Sequence, residues 1–268
     1  MMRRGRALLL VFAALPGVGR PADPPDPLVQ ARLLYNEGKW DEAIAMAGQA
    51  RAVPARVDSA DLIVARVRLE RFRERADGTD LIGARDALRR LNPRKFTPRE
   101  RTEYVVGLGE ALYLDGSFGA AAAVFDSLLE QGGALGGGDR ERVMDWWATA
   151  LDRDARPRTE FERQAIYQRI HEQMHKELSD SPHSATALYW LSAAARGQGD
   201  LQSAWGAALA GWVRAPLAGD RASALRADLD RLVLGALVPE RARALGQPPE
   251  ALRLEWERFK ERWAGEAP

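Results

Sequence analysis

The residues whose types and spacing suggest bond-making chemistry are His171, Glu172 and His175, in the run His171-Glu172-Gln173-Met174-His175. Two histidines four positions apart stand one helical turn apart, where both imidazoles can bind one zinc ion. The glutamate between them can then take a proton from zinc-bound water. Such a site needs a helix under the pair and a further ligand. The helix is predicted, because Ile166, Ile170, Met174 and Leu178 recur every fourth residue as a core-facing stripe flanked by the two histidines. The remaining histidine, His183, follows Pro182 and falls beyond the end of that helix. Two readings stand. One is a zinc-dependent hydrolase with His171 and His175 as ligands and Glu172 as base. The other is a pair of histidines on the partly solvated edge of a structural helix, with no metal and no other cofactor.

The surroundings favour the second. Zinc peptidases with this motif hold substrate against a β-sheet, and the chain shows almost no period-two alternation of β-branched residues; apolar residues recur at helical spacing instead. A histidine at position 181 would extend the ligand set in one such group, and Ser181 stands there. The glycines at 132, 133 and 136–138 are not followed by Lys-Ser or Lys-Thr, so they form no phosphate loop. The absence of cysteine excludes disulfides, thiolate metal sites and thiol nucleophiles. With 39 basic against 38 acidic residues in 268, the chain has no global field to hold a nucleic acid. A hydrophobic fraction of 46% is enough for a sizeable core.

At the N-terminus a cationic stretch (1–6), a nine-residue apolar run (Ala7–Leu15) and a small-residue end (Pro16–Gly19) have the three regions of a secretory signal. The expected division is a signal peptide over 1–19 and a proline-rich spacer over 20–27, giving a periplasmic or secreted protein. Nine apolar residues fall short of the roughly 20 that span a membrane, so no span is expected in the mature chain.

Three stretches superimpose without gaps: 31–50, 109–128 and 192–211. In each a glycine (Gly38, Gly116, Gly199) is followed two places on by a large apolar residue (Trp40, Phe118, Leu201) and five places on by alanine (Ala43, Ala121, Ala204). This is the pattern of a helical hairpin. The glycine ends the first helix in a left-handed conformation, and the alanine lets the second helix approach closely. The rhythm resembles the tetratricopeptide repeat family, with Leu188, Leu191, Ser192 and Pro216 extending the match around the third copy. The glycines are 78 and 83 residues apart, about two repeat units, so a degenerate hairpin is expected in each interval, at Asp61–Leu91 and Arg142–Leu178. Enlarged loops are expected inside both, around 76–79 and 153–158.

The expected architecture is an all-α, α-α superhelix of about five hairpins over 28–216, with a helical cap over 217–268. Asp220 is expected to cap a helix running to about Val238, Pro239 to open a short one, and Pro248-Pro249 to start a last helix whose stripe Leu252, Trp256, Phe259 and Trp263 folds back on the preceding repeat. The resemblance implies a concave face lined by first helices that binds an extended peptide or partner protein. Carried over residue by residue, the lining positions are Arg32, Tyr35 and Asn36; Val106, Glu110 and Tyr113; and Tyr189, Trp190 and Arg196. Tyr113 and Trp190 equally suit the core. Gly107 and Gly197 at lining positions imply a shallow groove. The function expected is a non-catalytic scaffold that binds protein or peptide in the cell envelope.

Overall fold

The computed structural model describes residues 26–131 and 135–264. The expected signal segment and most of the proline-rich spacer lie outside the described residues. Ten helices form five consecutive hairpins: α1 (Pro27–Asn36) with α2 (Trp40–Ala50), α3 (Val57–Arg75) with α4 (Gly78–Arg90), α5 (Pro98–Leu114) with α6 (Phe118–Glu130), α7 (Gly137–Ala155) with α8 (Glu160–Asp180), and α9 (Ala185–Gly197) with α10 (Leu201–Arg214). Each helix packs on its neighbour in sequence, giving an all-α helical-hairpin superhelix with no strand among the described residues. The first helices also touch one another, α1 on α3, α3 on α5 and α7 on α9.

The glycine-marked turns are alike. Gly38, Gly116 and Gly199 have φ of 72°, 82° and 83°, a region closed to most side chains. After each, the next amide reaches back five residues: Lys39 to the carbonyl of Leu34, Ser117 to Leu112 and Asp200 to Ala195, all at 2.9 Å. These are Schellman closures, which satisfy carbonyls that the helix end would leave open. The next helix starts at Trp40, Phe118 or Leu201, and Ala43, Ala121 and Ala204 are all 0% exposed. Between these copies the enlarged loop expected around 76–79 is absent, and the one expected around 153–158 is four residues, one more than in the glycine turns. Only Ala76 and Asp77 separate α3 from α4, with Ala76 itself at φ 54°, and Arg156–Thr159 separates α7 from α8. The extra residues lengthen helices instead, to 19 in α3, 19 in α7 and 21 in α8. Helical residues satisfy their own backbone groups, so length is accommodated there without stranding polar atoms. Pro27, expected in the spacer, is the first residue of α1, where its missing amide costs nothing, and the Asp26 carboxylate accepts from the amide of Leu28 at 3.0 Å.

Beyond α10 the chain departs from the expected breaks. A 3-10 stretch (Ala215–Arg221), kinked at Gly219, carries Pro216, and the N-cap of α11 (Ala222–Leu232) is Arg221 rather than Asp220. A π turn (Val233–Leu237) then joins α11 to α12 (Val238–Leu245), so the helix continues through Pro239. Its wider i→i−5 bonding re-registers the ladder just where proline supplies no amide. In α13 (Pro249–Ala264), Leu252 and Trp256 are buried, Trp256 meets Trp205 of α10 at 5.9 Å, and Phe259 meets Trp212 at 6.2 Å. Trp263, the end of the stripe, remains 46% exposed.

Candidate functional site

A cleft of about 400 Å³ opens between α1, α3, α5 and α7, and every helical residue lining it belongs to the first helix of a hairpin. Of the expected lining residues it brings together Tyr35, Asn36, Val106 and Glu110. Asn36 sits exposed at the rim. Arg32 stands at the adjoining wall, already engaged: it donates to both oxygens of Glu103 at 2.8 and 3.0 Å and to Glu100 at 2.9 Å, tying α1 to α5.

At the cleft's heart are two residues that the repeat rhythm does not single out and one that it does. Arg66 of α3 lays its guanidinium over the ring of Tyr35, 4.6 Å from the centroid, and reaches within 3.9 Å of Glu103. Glu70, one turn on, binds Arg73 at 2.9 Å. Glu110 is only 5% exposed, and its Oε2 has no hydrogen-bond partner among the described residues. Nor does the Nε of Arg66. Burial pushes the Glu110 carboxyl up to about 7, against the pull of Arg66 and with the push of Glu70. Burial likewise pushes the Tyr35 phenol up to about 12. A buried acid that titrates near neutrality beside an unsatisfied guanidinium N–H is costly to fold and uncommon outside functional sites. Arg66 and Glu70 occupy a degenerate hairpin, where no glycine-aromatic-alanine signature aligns them; the signal available was the arginine-glutamate spacing of four on α3.

The remaining expected positions lie elsewhere. Tyr113 packs between Phe118 (5.4 Å) and Trp146 (5.3 Å). Trp190 is 5% exposed and its indole donates to Asp145 at 2.9 Å, with Tyr189 edge-on beside it at 5.1 Å. Arg196 binds Glu240 of α12 through two bonds, at 2.6 and 3.0 Å. These four residues hold α5 to α6, and α9 to α7 and to the C-terminal helices. Gly197 lies under the ring of Tyr167, where an added Cβ would come within 2.4 Å, so it lines no groove.

No family model matches the chain, and no curated protein matches it. The cleft therefore stands on its own geometry.

His171 and His175 lie on α8 as expected, with ring centroids 4.4 Å apart and edge to face. Burial and the neighbouring His175 both push the His171 imidazole down. The Glu172 carboxylate is exposed and accepts from Gln168, one turn back, at 2.8 Å. His183 is exposed after α8, at the edge of a separate cavity of about 580 Å³ beside Arg140 and Glu177. Among the described residues no three histidine, aspartate or glutamate side chains converge where a metal ion could sit. None of the described helices is long and apolar enough to cross a membrane.

Proposed function

We propose that the protein is a non-catalytic, tetratricopeptide-like scaffold whose first helices hold an extended peptide or a segment of a partner protein. The observation that carries this reading is the cleft itself. Four first helices line it, and it contains a buried acceptor (Glu110 Oε2) and donor (Arg66 Nε) that nothing in the described chain satisfies. Buried polar groups left unpaired in this way cost about 1–3 kcal/mol each, a cost the fold bears at the floor of this cleft. The signal-like N-terminal pattern supports action in the cell envelope, periplasmic or secreted. The hydrolase alternative rests on the sequence run 171–175 alone; zinc near one equivalent per untagged chain would revive it.

The test is a crosslinked pull-down with the full chain from envelope extract, run beside Asn36→Arg. This variant places a long cation at the exposed rim of the cleft without touching the core. A partner held by the wild type and lost by the variant is expected. A partner held equally by both would overturn the reading.

A further inference from the structure

We propose that His171 and His175 together bind a copper(II) ion, as a two-imidazole chelate on α8 whose other coordination positions are filled by water. The two rings stand edge to face with centroids 4.4 Å apart. An imidazole nitrogen lies about 2.0–2.1 Å from a metal it binds and about 1.1 Å from its own ring centre, so each ligating ring is centred about 3.2 Å from the ion. Two such rings are about 4.5 Å apart on neighbouring corners of a square plane and about 5.2 Å apart at a tetrahedral angle. The observed spacing matches the square plane, the arrangement copper(II) prefers; zinc would require the rings to spread.

The ring nitrogens are open to an ion from water. Neither imidazole is hydrogen-bonded to a described residue, the Ser179 hydroxyl reaching only the main-chain carbonyl of His175, at 3.1 Å. His175 is exposed, and no nitrogen of His171 is among the polar atoms sealed from solvent without a partner. The helix keeps the pair together. Each histidine follows a core residue, Ile170 or Met174, that is 0% exposed, and α8 runs 21 residues from its Thr159–Glu162 capping box. Chelation therefore costs little more than the orientation of two side chains.

The charges that act on His171 from outside the pair are the carboxylates of Glu172 and Asp200. Each is held by a neutral donor, Glu172 by the Gln168 side-chain amide at 2.8 Å and Asp200 by the main-chain amide of Ser203 at 2.9 Å, so both keep the negative charge that draws a cation. No third protein ligand converges on the pair among the described residues, which leaves the bound ion hydrated. The site lies on a second helix, whereas the helical residues lining the cleft all belong to first helices, so the two sites are separate.

The experiment titrates the untagged full chain with copper(II) or zinc(II) in a non-coordinating buffer at neutral pH, by equilibrium dialysis and by electron paramagnetic resonance of the copper. A single copper per chain is expected, with the splitting pattern of two nitrogens. His171→Gln and His175→Gln are each expected to weaken binding about a hundredfold, because losing one ring removes the advantage of linked ligands. His183→Gln is expected to bind as the wild type does. His175 is exposed, so its replacement leaves the packing of α8 intact, which circular dichroism checks. No copper retained, copper retained equally by all three variants, or zinc held as tightly as copper would each overturn the proposal. Asn36→Arg is expected to bind copper unchanged, so failure of the cleft reading and failure of the copper site are told apart.

Discussion

Replacing Glu110 by glutamine is expected to flatten the dependence of stability on pH. In the unfolded chain this carboxyl ionises near 4.5; in the fold, burial holds its proton to about 7. Between those values the folded state binds more protons than the unfolded one, so stability falls as pH rises from 4.5 through 7 and is level above. A gap of roughly 2.5 pH units at about 1.4 kcal/mol each corresponds to about 3–4 kcal/mol at most. Glutamine has nearly the same shape and no charge to desolvate. The variant should match the wild type near pH 3.5 and exceed it by about 3 kcal/mol at pH 8, a rise of roughly 6–12 °C in Tm for a chain of this size. The assay is thermal unfolding followed by circular dichroism at both pH values and one ionic strength, read as the difference between the two proteins, which cancels every other titrating group. Parallel pH profiles would refute the reasoning, since they would mean that Glu110 titrates alike folded and unfolded.

Three further outcomes follow from packing. Arg140→Ala leaves Glu177, 3% exposed, without the guanidinium that binds both its oxygens, and should cost about 3–5 kcal/mol in denaturant unfolding. Ala76→Gly relieves a left-handed alanine at φ 54° and should stabilise by about 0.5–1 kcal/mol, once the freer unfolded chain is allowed for; no gain in Tm would contradict the strain. Gly109→Ala sets a methyl 2.4 Å from the ring of Phe125, an overpacking of about 1–3 kcal/mol that outweighs the roughly 1 kcal/mol alanine gains in a helix. A lower Tm is expected.

The hairpins were legible because their turns depend on local chemistry. Glycines at 38, 116 and 199 are the residues that most readily adopt the left-handed closure, and alanines at 43, 121 and 204 leave room for the partner helix, so both appear in the sequence at fixed spacing. The intervening hairpins close through Ala76 and through Arg156–Thr159, neither of which follows that rule, so their helices ran longer than expected. In the structure Thr97 with Glu100 and Thr159 with Glu162 form reciprocal capping boxes at the starts of α5 and α8. The cleft was half legible. Tyr35, Asn36, Val106 and Glu110 follow from the repeat register, whereas Arg66, Glu70 and Arg142 enter only through the way successive hairpins stack. Tyr113, Trp190 and Arg196 sit at equivalent register positions but are taken up by Trp146, Asp145 and Glu240, contacts between segments distant in sequence.

The central claim is that a partner enters the cleft between α1, α3, α5 and α7. The most direct measurement places a photo-crosslinking amino acid at Asn36, on the cleft's rim, or at Phe161, 85% exposed on the second helix α8, in otherwise identical full chains irradiated in envelope extract. An adduct formed from position 36 and not from position 161 is the predicted result. An adduct from position 161 alone, or none from position 36, would contradict it.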